Sequence, residues 1–479
     1  MRRYNIQHPD SLNAQRSTLI GCSDCDAIAL SSYFSPADLS SPVPYKLHTS
    51  TKKLLESCAR SLKIGGLLFV YGAPHHLPMY AELLDMLGDD NWRLEFKYWI
   101  AVQLHEPKKE EILQSTHVGI FLFHKVARKR YTRFHLNQVR IPHEFCPACG
   151  QNVKDWGGKK HLMNPQGAAL SDVWTDLPIQ SLTDHVIPED VLIRLQALCP
   201  GSFIHIIEPP QEMNSDRSTL NAQRSTSPGI SGLPTDRVET ADCIEFMESL
   251  LLKYEHNAFD LIFADPPYNL AKLYTNYTDS QAAEEYLAWC DKWLKLCSRL
   301  LKPGGSMYVL NLPKWALYHS RTLDKLLDFR RWIAWRALAE PRGKLLPAHY
   351  ALLYYTKPGA PPVFNSDLCE TDSPEYCLRA SCIKKRKAAG DDRKAPLTDI
   401  WCDIYRIRHK RDRDYHPCQL PEKLLERIIL LSSNPGQVIF DPFCGVGTTA
   451  VVAKRLNRHF ITTDIDPEYI RITKTKLKQ

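Results

Sequence analysis

Long apolar runs are missing from this sequence of 479 residues. No stretch approaches the roughly 18 consecutive apolar residues that predict a membrane span. The opening segment, MRRYNIQHPDSLNAQRST, also lacks the apolar core of an export signal. We therefore expect a cytoplasmic protein with no membrane association. The 15 cysteines are too dilute for a disulfide-stabilised scaffold, so we interpret them as reduced thiols, some of which could bind a metal.

Neither sign of charge dominates the composition. The chain has 61 Lys and Arg residues against 54 Asp and Glu residues, a net charge of +7. This excess permits a polyanionic partner without requiring one. Hydrophobic residues (44%) and charged residues (24%) are near globular averages, which excludes wholesale disorder. The length predicts two large domains or about three ordinary ones.

The chain repeats itself after about 230 residues. Four pairs of segments match in the same order and at offsets of 234, 239, 232 and 227: Cys25–Phe34 with Phe259–Tyr268, Leu62–Gly66 with Leu301–Gly305, Ser115–Lys125 with Pro347–Lys357, and Ser171–Asp176 with Thr398–Asp403. This register predicts a tandem duplication, far longer than a solenoid repeat. We predict one domain over residues 1–212, a second over residues 237–479, and a low-complexity linker over residues 213–236.

Strand and helix signals alternate in the second half. The predicted strands are Phe259–Ala264, Ser306–Leu310, Gln437–Phe440 and Phe460–Asp464. The predicted helices are Ser280–Leu301, ended by LysProGlyGly, Glu422–Ser432 and Thr448–Leu456. The alternation predicts an α/β fold with a largely parallel sheet and helices on both of its faces.

A glycine-rich loop follows one predicted strand. In FDPFCGVGTTA, residues 440–450, Gly445 and Gly447 allow a ligand to approach the backbone closely. Asp464 ends the next strand, at a distance typical of a carboxylate that accepts from ribose hydroxyls. A glycine pair alone is more often a tight turn, but Asp441 before it and Asp464 after it favour a nucleotide-like cofactor. Cys444 we interpret as a small packing residue.

A second loop, AspProProTyr, follows the strand Phe259–Ala264. Pro266 and Pro267 stiffen it, because each fixes its own φ and removes an N–H donor. The Asp265 carboxylate and the Pro266 carbonyl can accept both hydrogens of an exocyclic amine, and the Tyr268 ring can stack on a planar base. An ordinary strand exit would look similar. Side by side at the carboxyl ends of the strands, however, the two loops would place a cofactor next to an amine-bearing base.

Together, FDPFCGVGTT and DPPYNL resemble the S-adenosylmethionine-dependent amino-methyltransferases of DNA, and the AspProProTyr element precedes the glycine loop as in their β group. YHPCQLPEKLLER, from Tyr415, is similar to the family's element before that loop, with Leu420 where Lys is usual. TTDIDPEYI resembles the family's ribose strand, and AlaAspCys at 241–243 its Gly-Asp-Cys. The resemblance covers Val238–Lys478 and implies a Rossmann-like methyltransferase fold for that half. Because the chain repeats itself, we predict two such domains in tandem, with largely parallel sheets.

The resemblance also implies roles for residues. Asp265, Pro266, Pro267 and Tyr268 would form the catalytic loop that holds the target base, and Asp265 favours adenine N6 over cytosine N4. The cofactor, S-adenosylmethionine, would be bound by Asp242, Asp441, Pro442, Phe443, Gly445, Gly447, Thr448, Asp464, His416 and Gln419. No general base is needed, because the proton can leave after methyl transfer. The implied partner is double-stranded DNA, and a restriction or defence protein stays open as a second one.

The first half lacks this chemistry. Ser31, Ser32, Tyr33 and Phe34 stand where the second half has AspProProTyr, and no glycine loop follows Pro200–Ile204. We therefore predict a degenerate copy that forms an intramolecular pseudo-dimer with the catalytic half. Basic segments are candidates for contact with nucleic acid, although each alone is more often a solvated surface: Lys125–Arg133, Lys159–His161, Arg342, Lys344, Lys384–Lys387, Arg393, Lys394 and Arg406–Arg413.

Cys146 and Cys149 form a CxxC turn of the kind that shares a zinc ion. Two more ligands are needed, and Cys377 and Cys382 lie 231 and 233 residues further on, at the offset of the duplication. We predict a structural zinc bound by these four thiols, with Cys369, His143 and His161 as reserve ligands; ordinary thiols are the alternative. His117 and His349 occupy matching positions before apolar strands, and we interpret both as structural.

Three alternatives to adenine methylation of DNA remain open from the sequence. The same loop can serve cytosine N4. An RNA methyltransferase would need the same amine acceptors, because the motif contacts an amine and not a sugar. A nucleic-acid-binding protein with a vestigial site is the alternative outside the enzymes, and the intact loops argue against it.

Overall fold

The computed structural model describes residues 14–17, 24–32, 49–105, 113–153, 160–179, 186–199, 201–208, 233–254, 257–270, 280–337, 343–369, 371–391, 394–407 and 419–478. Most of the predicted linker, Tyr33, Phe34, Arg342, Arg393 and His416 lie outside these ranges.

The first half is built on a seven-stranded sheet in the order β1-β9-β2-β3-β5-β4-β8. The strands of this half are β1 (Ala14–Ser17), β2 (Cys25–Ser31), β3 (Leu62–Gly72), β4 (Trp92–Gln103), β5 (His117–Ala127), β6 (Arg140–Ile141), β7 (Ala168–Ala169), β8 (Val173–Trp174) and β9 (Ile204–Ile207). The short strands β6 and β7 form a separate antiparallel ribbon.

The second half is built on an eight-stranded sheet in the order β10-β19-β18-β11-β12-β14-β13-β17. Its strands are β10 (Arg237–Thr240), β11 (Phe259–Ala264), β12 (Leu301–Asn311), β13 (Asp328–Trp335), β14 (Tyr350–Thr356), β15 (Thr371–Asp372), β16 (Lys394–Ala395), β17 (Ile400–Trp401), β18 (Val438–Asp441) and β19 (His459–Asp464). Strands β15 and β16 form an antiparallel ribbon outside the sheet.

The two sheets share one strand order over six strands. The run β9-β2-β3-β5-β4-β8 corresponds to β18-β11-β12-β14-β13-β17. The directions correspond as well, since β5 and β14 run antiparallel to both of their neighbours and the other pairings are parallel. The architecture is therefore α/β with two mixed, mostly parallel sheets in tandem, which confirms the predicted fold class.

Helices cover both sheets. They are α1 (Thr49–Ser61), α2 (Leu77–Met86), α3 (Glu189–Leu198), α4 (Cys243–Tyr254), α5 (Ala283–Leu300), α6 (Pro313–Leu323), α7 (Ala380–Ala388), α8 (Glu422–Ser432), α9 (Thr448–Arg455) and α10 (Pro467–Lys476). Their apolar faces pack on fully buried strands; β14, for example, is buried at every residue, as expected of a central strand covered on both sides. None of the helices in the described ranges combines the length and apolarity that a membrane crossing requires.

The predicted start of one strand is wrong. Helix α5 ends at Leu300, just before LysProGlyGly as expected, but β12 begins at Leu301 and not at Ser306, so it contains Lys302–Gly305. The pairing of β11 with β12 shifts register between Phe259 and Leu261, and this irregularity accommodates the Pro-Gly-Gly sequence within the strand.

The two halves pack directly against each other. The indole rings of Trp99 and Trp332 stack with centroids 3.7 Å apart and planes 6° from parallel. Helix α2 packs on α6, where Arg321 pairs with Glu82 and the Tyr318 hydroxyl donates to Asp85. The interface therefore combines a buried aromatic centre with a polar margin.

Candidate active site

The two loops singled out in the sequence lie next to each other because the strands that carry them are neighbours. Strand β11 pairs in parallel with β18, Leu261 opposite Ile439 and Ile262 opposite Phe440. Parallel strands end at the same edge of a sheet, so the loop that begins at Asp265 and the loop that begins after Asp441 leave the sheet side by side.

Two carboxylates hold the glycine loop, the buried Asp441 and the half-buried Asp464. Asp441 accepts hydrogen bonds from the Phe443 N–H at 3.0 Å and the Thr449 hydroxyl at 2.5 Å. Asp464 accepts from the Gly445 N–H at 2.8 Å and the Asp466 N–H at 2.9 Å. Both side chains therefore shape the loop as well as facing any ligand within it.

Gly447 has a different task from Gly445. Its φ is +79°, and it precedes α9 as the N-cap. A Cβ at this position would lie 2.3 Å from Cγ2 of Thr473. Gly447 is also not among the described residues that line the cavity, so its absent side chain serves the packing of α9 against α10.

The AspProProTyr loop carries an internal hydrogen bond. The Tyr268 hydroxyl donates to Oδ1 of Asp265 at 2.5 Å, and the Tyr268 side chain is only 8% exposed. The Tyr268 ring was expected to offer a face for stacking; the structure adds that its hydroxyl orients the Asp265 carboxylate.

Three buried side chains that sequence reasoning missed support this loop from behind. The Tyr286 hydroxyl donates to the Pro267 carbonyl at 2.7 Å, and Trp315 Nε1 donates to the Tyr268 carbonyl at 2.8 Å. Asn311 donates to the Tyr286 hydroxyl at 3.0 Å. They lie on α5, α6 and β12, so no local motif could have identified them.

Both loops open into one cavity. Its lining includes all four predicted catalytic residues and most of the predicted cofactor residues: Asp242, Asp265, Pro266, Pro267, Tyr268, Gln419, Asp441, Pro442, Phe443, Gly445, Thr448 and Asp464. Further lining residues were not predicted as ligands: Ala241, Cys243, Phe263, Trp289, Leu420, Cys444, Val446, Thr449, Ile465, Asp466 and Tyr469. The carboxylates and aromatic rings of this lining decide which ligands suit it.

Charge in the cavity favours a cation. Five aspartates line it, and none of its described lining residues is Lys, Arg or His: Asp242, Asp265, Asp441, Asp464 and Asp466. Such a lining repels the pyrophosphate of a dinucleotide. It suits the sulfonium and ammonium groups of S-adenosylmethionine, whose adenine can lie among aromatic rings. The residues present therefore fit the cofactor that the sequence resemblance implied.

Burial sets the protonation of the central carboxylate. It raises the pKa of Asp441 to about 7, against the hydrogen bonds from Thr449 and Phe443 and with a further contribution from the charge of Asp464. Burial also raises the pKa of Asp464, opposed by the N–H groups of Asp466 and Gly445. A bound cation would favour the ionised form of both.

Asp242 has a structural hydrogen-bonding task beside its place in the lining. Its Oδ1 accepts from the N–H groups of Ile244 and Glu245, at 2.8 and 3.1 Å, in the first turn of α4. A carboxylate at this end of a helix is stabilised by the helix dipole.

The first half has buried serines at the positions that align with Asp265 and Pro266. Ser31 and Ser32 are 0% and 1% exposed, and the Ser31 hydroxyl donates to the Ser32 carbonyl. Two buried hydroxyls provide no ionised acceptor for an amine at these positions.

Two of the predicted basic contacts are not on the surface. Lys125 is 5% exposed, and its Nζ donates to the carbonyls of Arg60 and Leu62. Arg386 is 3% exposed. The prediction that these two cations face nucleic acid is therefore wrong, whereas Arg128, Lys129, Lys384 and Lys387 are exposed.

Comparison with known proteins identifies the second half. A family model for N6/N4 DNA methylases matches residues 259–475. The type II methyltransferase M.BamHI of Bacillus amyloliquefaciens is 38% identical over 231 residues, which are 47% of this chain and 53% of that protein. M.HpaI of Haemophilus parainfluenzae is 35% identical over 232 residues, 47% of this chain and 70% of that enzyme. The DNA adenine methyltransferase YhdJ of Escherichia coli is 33% identical over 230 residues, which are 46% of this chain and 77% of that enzyme.

Solved structures match about half of the chain. The M1.HpyAVI–SAM complex is 20% identical with a TM-score of 0.36, over 51% of this chain and 99% of that one. The cytosine-N4-specific PvuII DNA methyltransferase is 19% identical with a TM-score of 0.36, over 53% of this chain and 87% of that one.

The chain spans about half of M.BamHI but 70% of M.HpaI and 77% of YhdJ. The matched stretches have the length of one half of the chain, and the family model covers the half that contains both loops and their cavity. Those loops are the segments whose sequence first carried the resemblance. On these grounds the chain belongs to the N6/N4 DNA methylase family, the S-adenosylmethionine-dependent amino-methyltransferases of DNA.

Proposed function

We propose that this protein transfers a methyl group from S-adenosylmethionine to the exocyclic amine of a base flipped out of duplex DNA, adenine N6 before cytosine N4. The proposal rests mainly on one observation, the cavity that the two loops share. The amine-accepting loop at Asp265 and the glycine loop at Gly445 open into it from adjacent parallel strands.

The cofactor end of the cavity is acidic and aromatic. When bound, S-adenosylmethionine supplies an electrophilic methyl group on a positively charged sulfur. Asp441, Phe443, Gly445 and Thr448 would hold its methionine end, with Pro442 and Gly447 keeping the loop in shape. Asp464 would hold the ribose. Asp242 and Gln419 line the remaining part of the cavity, where the adenine would lie; His416 was predicted to belong with them.

The target end provides acceptors and a stacking surface. The Asp265 carboxylate and the Pro266 carbonyl accept the two hydrogens of the amine, which directs its lone pair toward the cofactor. Tyr268 orients Asp265 through its hydroxyl. The buried donors Tyr286 and Trp315 fix the loop carbonyls, so the acceptors are preorganised. No residue has to act as a general base.

Adenine is favoured over cytosine by two observations. Asp265 stands at the first motif position, where the family resemblance leans to adenine N6. YhdJ, which is 33% identical to this chain, is named as a DNA adenine methyltransferase. Cytosine N4 is the second candidate, because its amine needs the same acceptors.

We further propose that the first half is a degenerate copy of the second and shapes the DNA groove of an intramolecular pseudo-dimer. The common strand order, the burial of Ser31 and Ser32, and the direct packing of the halves support this. A restriction or defence partner is supported only by the type II designation of the relatives.

The proposal is tested by measuring transfer of a tritium-labelled methyl group from S-adenosylmethionine to duplex DNA of mixed sequence. RNA of matched sequence is assayed in parallel, and the Asp265→Ala variant is the control. We expect label in DNA that the substitution abolishes. Label in RNA alone would replace DNA as the substrate, and absence of both transfer and cofactor binding would leave only a vestigial site.

A further inference from the structure

Four cysteine sulfurs from the two halves converge outside the active site. The Sγ atoms of Cys146, Cys149, Cys377 and Cys382 all lie within 4.8 Å of one another. Cys146 lies 3.8 Å from Cys382, and Cys149 lies 3.6 Å from Cys377. Thiolates bound tetrahedrally at about 2.3 Å from one zinc ion lie about 3.8 Å apart, whereas bonded sulfurs lie about 2.05 Å apart. The spacing is that of a single-metal site.

Each half contributes its pair from a defined local structure. Cys146 and Cys149 lie on a tight turn in which the Gly150 N–H donates to the Cys146 carbonyl at 2.8 Å and Gly150 has a φ of +66°. Cys377 lies just before α7, and Cys382 lies in the first turn of that helix. Arg379, between the latter two, donates to the carbonyl of Asn152 at 2.8 Å and so joins the two elements. The ligands are thus positioned by their backbones.

A buried cation accompanies the thiols. Arg386 lies one turn after Cys382 and is 3% exposed, with its guanidinium carbon 4.2 Å from the ring centroid of Tyr376. Among the described residues, its Nε and Nη1 have no hydrogen-bond partner. The helix that carries Cys382 therefore also carries a buried positive charge, and four thiolates around a divalent ion would carry excess negative charge.

We propose that these four cysteines bind one structural zinc ion that ties the first half of the chain to the catalytic half. Four protein ligands close the coordination shell and leave no position for substrate, which distinguishes a structural from a catalytic site. All-sulfur tetrahedral coordination selects zinc or iron–sulfur groups, and a multinuclear cluster would hold its ligand sulfurs further apart than these. The site is independent of methyl transfer.

Metal content of the full-length protein, purified under reducing conditions and measured by plasma mass spectrometry, tests the assignment. We expect about one zinc per chain, released when an organomercurial titrates the thiols. Cys377→Ser and Cys382→Ser should reduce the zinc content to background. Cys369→Ser, a nearby thiol outside the cluster, should leave it unchanged.

Native protein without zinc, with all four thiols freely reactive or paired in disulfides, would overturn the proposal, as would stoichiometric iron. A second measurement on the unaltered chain covers the case in which the serine variants fail to fold. Removal of zinc should lower the midpoint of thermal unfolding, and added zinc with reductant should restore it. An unchanged midpoint would contradict the role of the ion in joining the halves.

Discussion

Nδ1 of His117 lies 2.9 Å from Oδ2 of Asp399, across the contact between the two halves. The reciprocal pair is present as well, because Nδ1 of His349 lies 3.1 Å from Oδ2 of Asp172. The histidines are 232 residues apart and the aspartates 227, the offsets of the sequence repeats. Each half therefore supplies the carboxylate for the other half's histidine, as expected of the proposed pseudo-dimer.

The first prediction concerns this crossed arrangement. Asp399 also accepts from the N–H and hydroxyl of Thr116, and it is 1% exposed. Asp399→Asn should lower the free energy of unfolding by about 1 to 3 kcal/mol, because an amide has one acceptor oxygen instead of two and leaves buried donors on Thr116 or His117 unsatisfied. Asp172→Asn should have a similar effect, and the exposed Asp90→Asn almost none. Chemical denaturation measures all three, and an Asp399→Asn variant as stable as the control would contradict the structural role of the pair.

A second prediction follows from the protonation of Asp441. Its carboxyl group is largely neutral below its pKa of about 7 and ionised above it. Affinity for the cationic cofactor should therefore increase by about tenfold at most between pH 6 and pH 8. Calorimetric titration of S-adenosylmethionine at these pH values measures it. The Asp441→Asn variant should bind S-adenosylmethionine weakly, and its affinity should depend little on pH. If the variant kept the full pH dependence, another group would be responsible for it.

The same carboxylate predicts a stability effect of opposite sense. Because the folded-state pKa of Asp441 lies above the unfolded value, its contribution to stability is complete below about pH 4 and is lost as the pH rises through 7. Asp441→Asn should therefore raise the unfolding midpoint of the cofactor-free protein, and by more at pH 8 than at pH 5. Calorimetric scans at the two pH values decide this, and an equal shift at both would contradict it.

Gly447 in the glycine loop and Gly436 in the turn before β18 offer a matched pair of substitutions. Gly447 and Gly436 have φ values of +79° and +80°, so alanine at either position meets a similar backbone penalty of about 1 kcal/mol. A Cβ at Gly447 would also lie 2.3 Å from Thr473, whereas at Gly436 it would meet nothing within 4 Å. Gly447→Ala should destabilise the protein by at least about 1 kcal/mol more than Gly436→Ala and weaken cofactor binding. Equal losses in thermal unfolding would argue against the contact.

Tyr286 is a positioning residue for the target loop. Tyr286→Phe removes the donor to the Pro267 carbonyl and should reduce kcat about tenfold, with cofactor affinity preserved. Tyr308→Phe is the control, because it removes a buried hydroxyl that bonds instead to Ser432. Both changes should cost about 1 kcal/mol of stability, so only the loss of kcat separates them. Equal kcat values for the two variants would show that the support from Tyr286 is dispensable.

Local sequence was enough to predict the two loops and most of their secondary structure. The helix predicted at Glu422–Ser432 has those bounds, and the glycine loop connects β18 to α9 where a strand and a helix were expected. Such motifs succeed because short loops between buried strands and helices depend on few neighbours. The four cysteines could be grouped only through the duplication offset.

Long-range contacts could not be predicted in this way. The supports Tyr286, Asn311 and Trp315 are far from the loop in sequence, and the carboxylate partners of His117 and His349 come from the opposite half. The sequence predicts Lys125 as part of a basic surface segment. It lies instead near the end of strand β5, where it is buried and its Nζ donates to two carbonyls. Spacing along the chain contains no information about such burial.

Methyl transfer to DNA can be measured with S-adenosylmethionine that carries a deuterated methyl group, duplex DNA of mixed sequence, and mass spectrometry of the nucleosides. We expect deuterated methyl on adenine N6 with the native chain and none with Asp265→Ala. Deuterated methyl on cytosine N4 would keep the mechanism and change the base. No labelled nucleoside, from protein that binds the cofactor and the DNA, would contradict the assignment of the cavity as a DNA methylation site.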